Sequence, residues 1–122
     1  MSDDKDVASW WNGKAAVVTG AARGQGAAEA LRLLQAGATV YALDVLPESD
    51  ATWAELRAAA GEDAERLRIR VADVARESDW LALADEISAA GVPLYGLVNN
   101  AGVTLRKTVT ETTHAEWRCL LD

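Results

Sequence analysis

A glycine-rich stretch between a strand pattern and a helix pattern restricts the fold of this chain more than any other feature. Residues 19–26 read TGAARGQG, follow the apolar run at residues 15–18 and precede a run with helical spacing. Glycine adopts tight-turn angles at little cost, and its missing Cβ lets a phosphate approach the backbone. The following helix directs its unpaired N–H groups at the same anion. An ordinary glycine turn is the alternative, but the flanking patterns favour a dinucleotide-phosphate loop.

Strand and helix patterns alternate along the chain. Strand patterns lie at residues 15–18, 39–44, 67–71 and 94–98. Between them lie three stretches in which apolar residues recur at helical spacing and so mark one face of a helix. These faces include Ala27, Ala30, Leu31 and Leu34 in the first helix, Trp53, Leu56 and Ala60 in the second, and Trp80, Leu83, Ala84 and Ile87 in the third. Gly37, Gly61 and Gly91 stand where helices would end, and Ser49 is the predicted cap of the second helix. The order βαβαβαβ predicts an α/β fold with a doubly wound parallel sheet, whose ligands bind beyond the carboxyl ends of the strands.

Charge and composition exclude several classes of function. The 122 residues carry a net charge of -7, which argues against a nucleic-acid or anionic-membrane surface. Cys119 is the single cysteine, so no internal disulfide forms and a reducing, cytoplasmic location is expected. No apolar stretch has the length of a signal peptide core or a membrane span. We predict a flexible tail at residues 1–12 and one cofactor-binding unit at residues 13–122.

The last segment begins a further helix. Residues 113–116 read as a capping box, and Trp117, Leu120 and Leu121 start an apolar stripe behind it before the sequence stops at Asp122. The stripe ends after about two turns and no helix stop signal follows it. We therefore expect the chain to be the N-terminal piece of a single domain.

An acidic residue ends the second strand. Asp44 lies 18 positions beyond Gly26, where a carboxylate can accept hydrogen bonds from both adenosine-ribose hydroxyls of NAD. A 2′-phosphate would be repelled by about 4 kcal/mol per unit-charge pair at ~4 Å and an effective dielectric of 20, before solvent screening. NAD is therefore expected rather than NADP, although Arg23 could offset part of the repulsion. A solvated acidic residue at a strand end is the alternative.

Two further strand ends carry polar groups. Asp73 and Val74 follow the third strand, and residues 99–102 read NNAG after the fourth. Taken alone, Asp73 could cap the next helix and the asparagine pair could be a turn. Since the carboxyl ends of parallel strands share one edge, their joint position favours a binding role.

These motifs resemble those of the short-chain dehydrogenase/reductase family, a Rossmann-type NAD(P)-dependent group. The resemblance runs from about Gly13 to the end and rests on the spaced glycines of residues 19–26 and on residues 99–102. It implies that Arg23 and Gln25 border the phosphates and ribose, although the family usually has an apolar residue where Gln25 stands. It implies cofactor contacts at Gly20, Arg23, Gly24, Gln25, Gly26, Asp44, Asp73, Val74, Asn100, Ala101 and Gly102, with Asn99 in a more structural role.

The resemblance also implies hydride transfer between a secondary alcohol or ketone and NAD in a homo-oligomer, a dimer or tetramer. Tyr41 and Tyr95 are the only tyrosines and neither is followed four positions on by lysine, so these 122 residues lack the family's catalytic pair. A non-catalytic nucleotide-binding module is the main alternative, and a Rossmann-like methyltransferase is a weaker one. His114, the only histidine, lacks a catalytic partner motif and is expected to be solvated.

Overall fold

The computed structural model describes residues 10–101 and 113–115. Its elements are β1 (Ala15–Thr19), α1 (Gly24–Gln35), β2 (Thr39–Asp44), α2 (Ala51–Ala60), a 3₁₀ helix (Gly61–Arg66), β3 (Leu67–Val71), α3 (Glu77–Ala90) and β4 (Leu94–Val98). The predicted alternation of strands and helices is confirmed. The 3₁₀ helix, which brings the chain from α2 to β3, was not predicted.

The four strands form one parallel sheet in the order β3-β2-β1-β4. The chain thus moves outward from β1 through β2 to β3, then returns to place β4 on the other side of β1. Ligands of open parallel sheets bind where the strand order reverses in this way, beyond the carboxyl ends of the strands. The α/β, Rossmann-type fold predicted from the sequence is confirmed, and the reversal lies between β1 and β4.

Two hydrophobic clusters cover the two faces of the sheet. Successive strand residues point to opposite faces; Val18 packs with residues of α1 and α2, whereas Val17 packs with Leu83 and Ile87 of α3. Helices therefore lie on both faces. Burying both sides of the central strands explains why β1 and β2 are almost continuously apolar.

Two local predictions were wrong. Asp50, not Ser49, caps α2, because its carboxylate accepts a hydrogen bond from the Thr52 N–H at 3.0 Å. Ala84 was expected in the buried face of α3 but is exposed, since only Leu83 and Ile87 of that helix are fully buried against the described part of the sheet.

The segment before β1 contacts the sheet. Trp11 is half-buried and packs against the cluster under α1, and the Asn12 side chain fills the space where a Cβ of Gly37 would lie. Lys14 lies with its Nζ 4.1 Å from the centre of the Trp10 ring. The expected tail at residues 1–12 is described only from Trp10 onward, and the boundary at Gly13 stays a prediction.

In the described residues, no helix is long and apolar enough to cross a membrane. His114 is exposed and helical together with Ala115, and Thr113 immediately precedes them, as the expected helix start requires. Glu116, Trp117, Leu120 and Leu121 of that predicted helix lie outside the described residues.

The edge of the sheet at β4 leads us to expect self-association of the chain. Within the described range β4 pairs only with β1, and Tyr95 and Leu97 on it are 58% and 57% exposed. An uncovered strand edge with apolar side chains favours pairing with another chain. We expect concentration-dependent association of residues 1–122 in sedimentation velocity, reduced by Leu97→Lys. Leu81 is exposed on α3, and Leu81→Lys is the matched control. A chain that stays monomeric at all concentrations would contradict the expectation.

Candidate functional site

The glycine loop connects β1 to α1 at the carboxyl edge of the sheet. Gly20 and Gly24 have φ of 64° and 63°, angles that side chains rarely adopt. Helix α1 begins at Gly24, and its N-cap residue Arg23 makes no side-chain cap hydrogen bond. The first-turn N–H groups are thus left for a ligand, and the positive end of the helix dipole lies beside them.

Gly26 is a glycine because the loop folds directly against it. A Cβ on Gly26 would lie far inside van der Waals contact distance of the Gly20 carbonyl oxygen, 2.7 Å from the Gly20 carbonyl carbon and 2.9 Å from Asn100 Nδ2. A Cβ on Gly20 would in turn lie 3.0 Å from the Ala101 Cα. These close approaches bring three backbone segments together and fix the glycine loop against the first turn of α1.

Thr19 fastens the end of β1 to the end of β4. Its side chain is fully buried, and its Oγ1 accepts hydrogen bonds from the N–H groups of Asn100 at 2.8 Å and Ala101 at 2.9 Å. Thr19 belongs to the motif at residues 19–26, but no role is predicted for it from the sequence. A hydroxyl at the end of an otherwise apolar strand was the signal available in the sequence, since a buried polar group needs a partner.

The segment after β4 lies against the glycine loop. Asn100 directs its Nδ2 toward the Gly20 carbonyl oxygen at 3.5 Å, and Asn99 is exposed with its Oδ1 3.4 Å from Thr19 Oγ1. The structure therefore brings the predicted Asn100 and Ala101 next to the predicted glycines. Gly102 lies outside the described residues, and the cofactor role of all these positions stays a prediction.

Asp44 is held by backbone N–H groups from two segments. Its Oδ2 accepts from Ala22 at 3.2 Å, and its Oδ1 accepts from Val45 at 2.8 Å and Leu46 at 3.3 Å. The carboxylate thus ties the glycine loop to the turn after β2. Because a carboxylate has about four lone-pair sites, three N–H donors leave capacity for a further donor such as a ribose hydroxyl.

Arg23 and Gln25 are exposed at the rim of the same edge. Hydrogen bonds from the N–H and hydroxyl of Thr52, with a smaller contribution from the charge of Arg23, lower the pKa of Asp50. Arg23 therefore lies close enough to Asp50, the N-cap residue of α2, for its charge to act on that carboxylate.

The loop after β3 is closed by its own hydrogen bonds and by α3. The Asp73 carboxylate accepts from the Ala75 N–H at 2.9 Å, so Asp73 closes a turn; it does not cap α3, whose N-cap residue is Arg76. The Asp73 N–H donates to Asp79 at 2.8 Å, and the Trp80 Nε1–H donates to the Val74 carbonyl at 2.8 Å. Asp79 and Trp80 were not named as functional from the sequence.

The segments that follow β1, β2, β3 and β4 form one polar edge of the sheet, and this edge is suited to holding an elongated anion. Within the described residues no cluster of three or more His, Cys, Asp or Glu could hold a metal ion. A cavity of about 400 Å³ lies elsewhere, where Ile87 at the end of α3 meets Pro93 and Leu94 at the start of β4. The edge fits binding of a dinucleotide, and the cavity is not part of it.

The fold and this edge define a parallel α/β domain of the dinucleotide-binding class. The family model described as short chain dehydrogenase matches residues 14–122. The chain belongs to the short-chain dehydrogenase family.

Known proteins of the same kind match nearly the whole chain. Hydroxyacyl-CoA dehydrogenase ChsB1 of Mycobacterium tuberculosis is 40% identical over 90% of this chain and 35% of its own length. The NADP-dependent (R)-specific alcohol dehydrogenase of Lentilactobacillus kefiri is 36% identical over 89% of this chain and 42% of its own length. A solved structure from Novosphingobium aromaticivorans, assigned to the short-chain dehydrogenases, is 33% identical, with a TM-score of 0.80 over 91% of this chain and 40% of that one. The chain thus spans less than half the length of these proteins.

Proposed function

We propose that this chain is the cofactor-binding part of an NAD-dependent oxidoreductase that transfers a hydride between a secondary alcohol or ketone and nicotinamide. The packing of Gly26 against Gly20 and Asn100 carries the proposal, because it holds the glycine loop against the start of α1, whose first-turn N–H groups can bind a phosphate. Dehydrogenase relatives that match most of the chain support the same class. We further propose a homo-oligomer in the cytoplasm.

The residues at the edge of the sheet fit the proposed cofactor. The first-turn N–H groups of α1 would hold the pyrophosphate, Asp44 the adenosine ribose, Asp73 and Val74 the adenine, and Asn100 with Ala101 the other ribose. The bound nicotinamide ring would supply the site of hydride transfer. What this chain contributes is anion binding, hydrogen bonding and orientation.

Titration with NADH tests the proposal directly. We expect saturable binding of NADH by residues 1–122, with an increase in the melting temperature. S-adenosylmethionine, the ligand of a Rossmann-like methyltransferase, is the control and should not bind. Binding of S-adenosylmethionine without binding of NADH would overturn the proposal. Turnover with secondary alcohols in a protein that includes these residues separates an oxidoreductase from a non-catalytic nucleotide-binding module.

Asp44 is expected to determine the preference for NAD over NADP. Its carboxylate charge lies where a 2′-phosphate would approach, and a repulsion of even 1.4 kcal/mol gives about a tenfold preference. We expect residues 1–122 to bind NADH about tenfold or more tightly than NADPH, and Asp44→Ala to shrink this ratio. Fluorescence titration with both cofactors measures the ratio.

Two further variants separate the charge of Asp44 from its structural role. Asp44→Asn removes the charge but keeps one acceptor for the N–H groups of Ala22 or Val45. It should shrink the ratio with less loss of stability than Asp44→Ala. If the unmodified chain binds NADPH at least as well as NADH, Arg23 is the deciding charge, and Arg23→Ala should then restore preference for NADH.

A further inference from the structure

The first turn of α3 holds the loop after β3 by two hydrogen bonds to consecutive residues of that loop. The Asp79 carboxylate accepts from the Asp73 N–H, and the Trp80 indole N–H donates to the Val74 carbonyl, each at 2.8 Å. We infer that Asp79 and Trp80 are positioning residues that fix the loop for reading the adenine base. This inference rests on the proposed function and assigns a role to two residues outside the predicted cofactor contacts.

The hydrogen bonds of the loop leave two groups for a ligand. Asp73 uses its N–H and its Oδ1 within the protein, and its carbonyl accepts from the Arg76 N–H at 2.9 Å. The Val74 carbonyl accepts the hydrogen bond from the Trp80 indole N–H. Within the described residues, the Asp73 Oδ2 and the Val74 N–H have no hydrogen-bond partner. One acceptor beside one donor complements the amino group and the adjacent ring nitrogen of adenine.

The direction of those two groups depends on the bonds behind them. The Val74 N–H and carbonyl belong to adjoining peptide units, and the Asp73 carboxylate extends from the residue whose N–H Asp79 holds. The Val74 N–H lies on the peptide between those of the Asp73 N–H and the Val74 carbonyl, and the Asp73 carbonyl of this peptide accepts from the Arg76 N–H. Rotation of the two flanking peptides, which Asp79 and Trp80 hold, would let this middle peptide and the Asp73 side chain turn away from a base. A hydrogen bond from Trp80 on one side and to Asp79 on the other opposes such rotation.

A second tryptophan repeats this arrangement behind the loop after β2. Trp53, in the first turn of α2, donates its indole N–H to the Leu46 carbonyl at 3.2 Å. Leu46 also donates its N–H to Asp44. Both loops predicted to hold the adenosine are thus bonded to the indole of the helix that follows. Trp80 is half-buried and packs at the edge of the hydrophobic cluster under α3, and its indole N–H adds a directional contact to that packing.

The ratio of affinities for two dinucleotides that differ only in the base measures this role, whereas the affinity for NADH alone would also fall if the fold were weakened. The probes are NADH and its hypoxanthine analogue, in which oxygen replaces the adenine amino group. We expect the unmodified chain to bind NADH more tightly than the analogue. Trp80→Phe keeps an aromatic ring but loses the N–H donor, and it should reduce the affinity ratio about three- to tenfold, the effect of about one hydrogen bond.

Matched variants separate positioning from general loss of structure. Asp79→Ala should reduce the ratio in the same way, and Asp79→Asn, which keeps an acceptor oxygen, should restore much of it; this pair tests the inference even if Trp80→Phe fails to fold. Trp10→Phe and Asp85→Ala are the controls, because Trp10 is 50% exposed at the amino end of the sheet and Asp85 is exposed on α3. Both controls should leave the ratio unchanged.

Each outcome has a distinct meaning. An unchanged ratio in folded Trp80→Phe and Asp79→Ala overturns the positioning role, and so does an equal loss of affinity for both dinucleotides. An unmodified chain that binds NADH but does not discriminate between the bases also overturns it, while leaving the proposed function intact. If the unmodified chain binds neither dinucleotide, the proposed function fails first, and the inference with it.

Discussion

Replacement of Thr19 by valine is expected to lower the free energy of unfolding by about 2–5 kcal/mol. Valine has nearly the same shape but no hydroxyl, so the N–H groups of Asn100 and Ala101 lose their common acceptor. Leaving a buried donor unsatisfied costs about 1–3 kcal/mol, and two donors are affected. Thr19 is fully buried, whereas Asn100 and Ala101 are half-buried, so partial access of water to their N–H groups keeps the expected loss below the roughly 6 kcal/mol of two fully buried donors.

Urea denaturation of both proteins measures this difference, and Thr19→Ser is the matched control. Serine keeps the hydroxyl and loses only a methyl group, so it should retain most of the stability that Thr19→Val loses. The affinity for NADH should follow the same order, because Asn100 and Ala101 are predicted cofactor contacts. Equal stabilities of Thr19→Val and the unmodified chain would show that this hydrogen-bond junction contributes little.

The sequence was sufficient to predict the fold because its strongest patterns are local. Strands β2, β3 and β4 have the bounds that their apolar patterns predict, and β1 extends one residue further, to Thr19. Glycine marks the end of α2 and α3, where Gly61 and Gly91 have positive φ. The helix start at Asp50 was missed because Ser49 and Asp50 are adjacent and both residue types cap helices.

The details of the candidate site depend on tertiary structure. That strand ends would converge was predictable, since parallel strands share an edge. The bonds from Thr19 to Asn100 and Ala101 join positions about 80 residues apart, and they depend on the register of β1 against β4. The hydrogen bond from Ala22 to Asp44 likewise depends on how the glycine loop crosses β2. The spacing of apolar residues along the sequence carries no information on contacts between residues so far apart.

Alanine at Gly26 is expected to weaken NADH binding about tenfold or more and to destabilise the fold. The sequence predicts a cofactor contact at this glycine; the structure adds a protein contact, since the new Cβ would collide with the Gly20 carbonyl and approach Asn100 Nδ2 to 2.9 Å. The loop must move away from α1, and such overpacking costs about 1–3 kcal/mol. Loss of a single charge-assisted hydrogen bond to phosphate, about 1.5–3 kcal/mol, weakens Kd about ten- to a hundredfold.

Gly61→Ala distinguishes this steric effect from general glycine strain. Gly61 has φ of 57°, but among the described residues nothing lies within 4 Å of where its Cβ would be, and it lies at the end of α2. Its replacement should cost about 1–3 kcal/mol of backbone strain and leave NADH affinity unchanged. Thermal melts and NADH fluorescence titrations of both variants separate the two losses. If folded Gly26→Ala bound NADH as tightly as the unmodified chain, the glycine loop packed against the first turn of α1 would not be where the pyrophosphate binds.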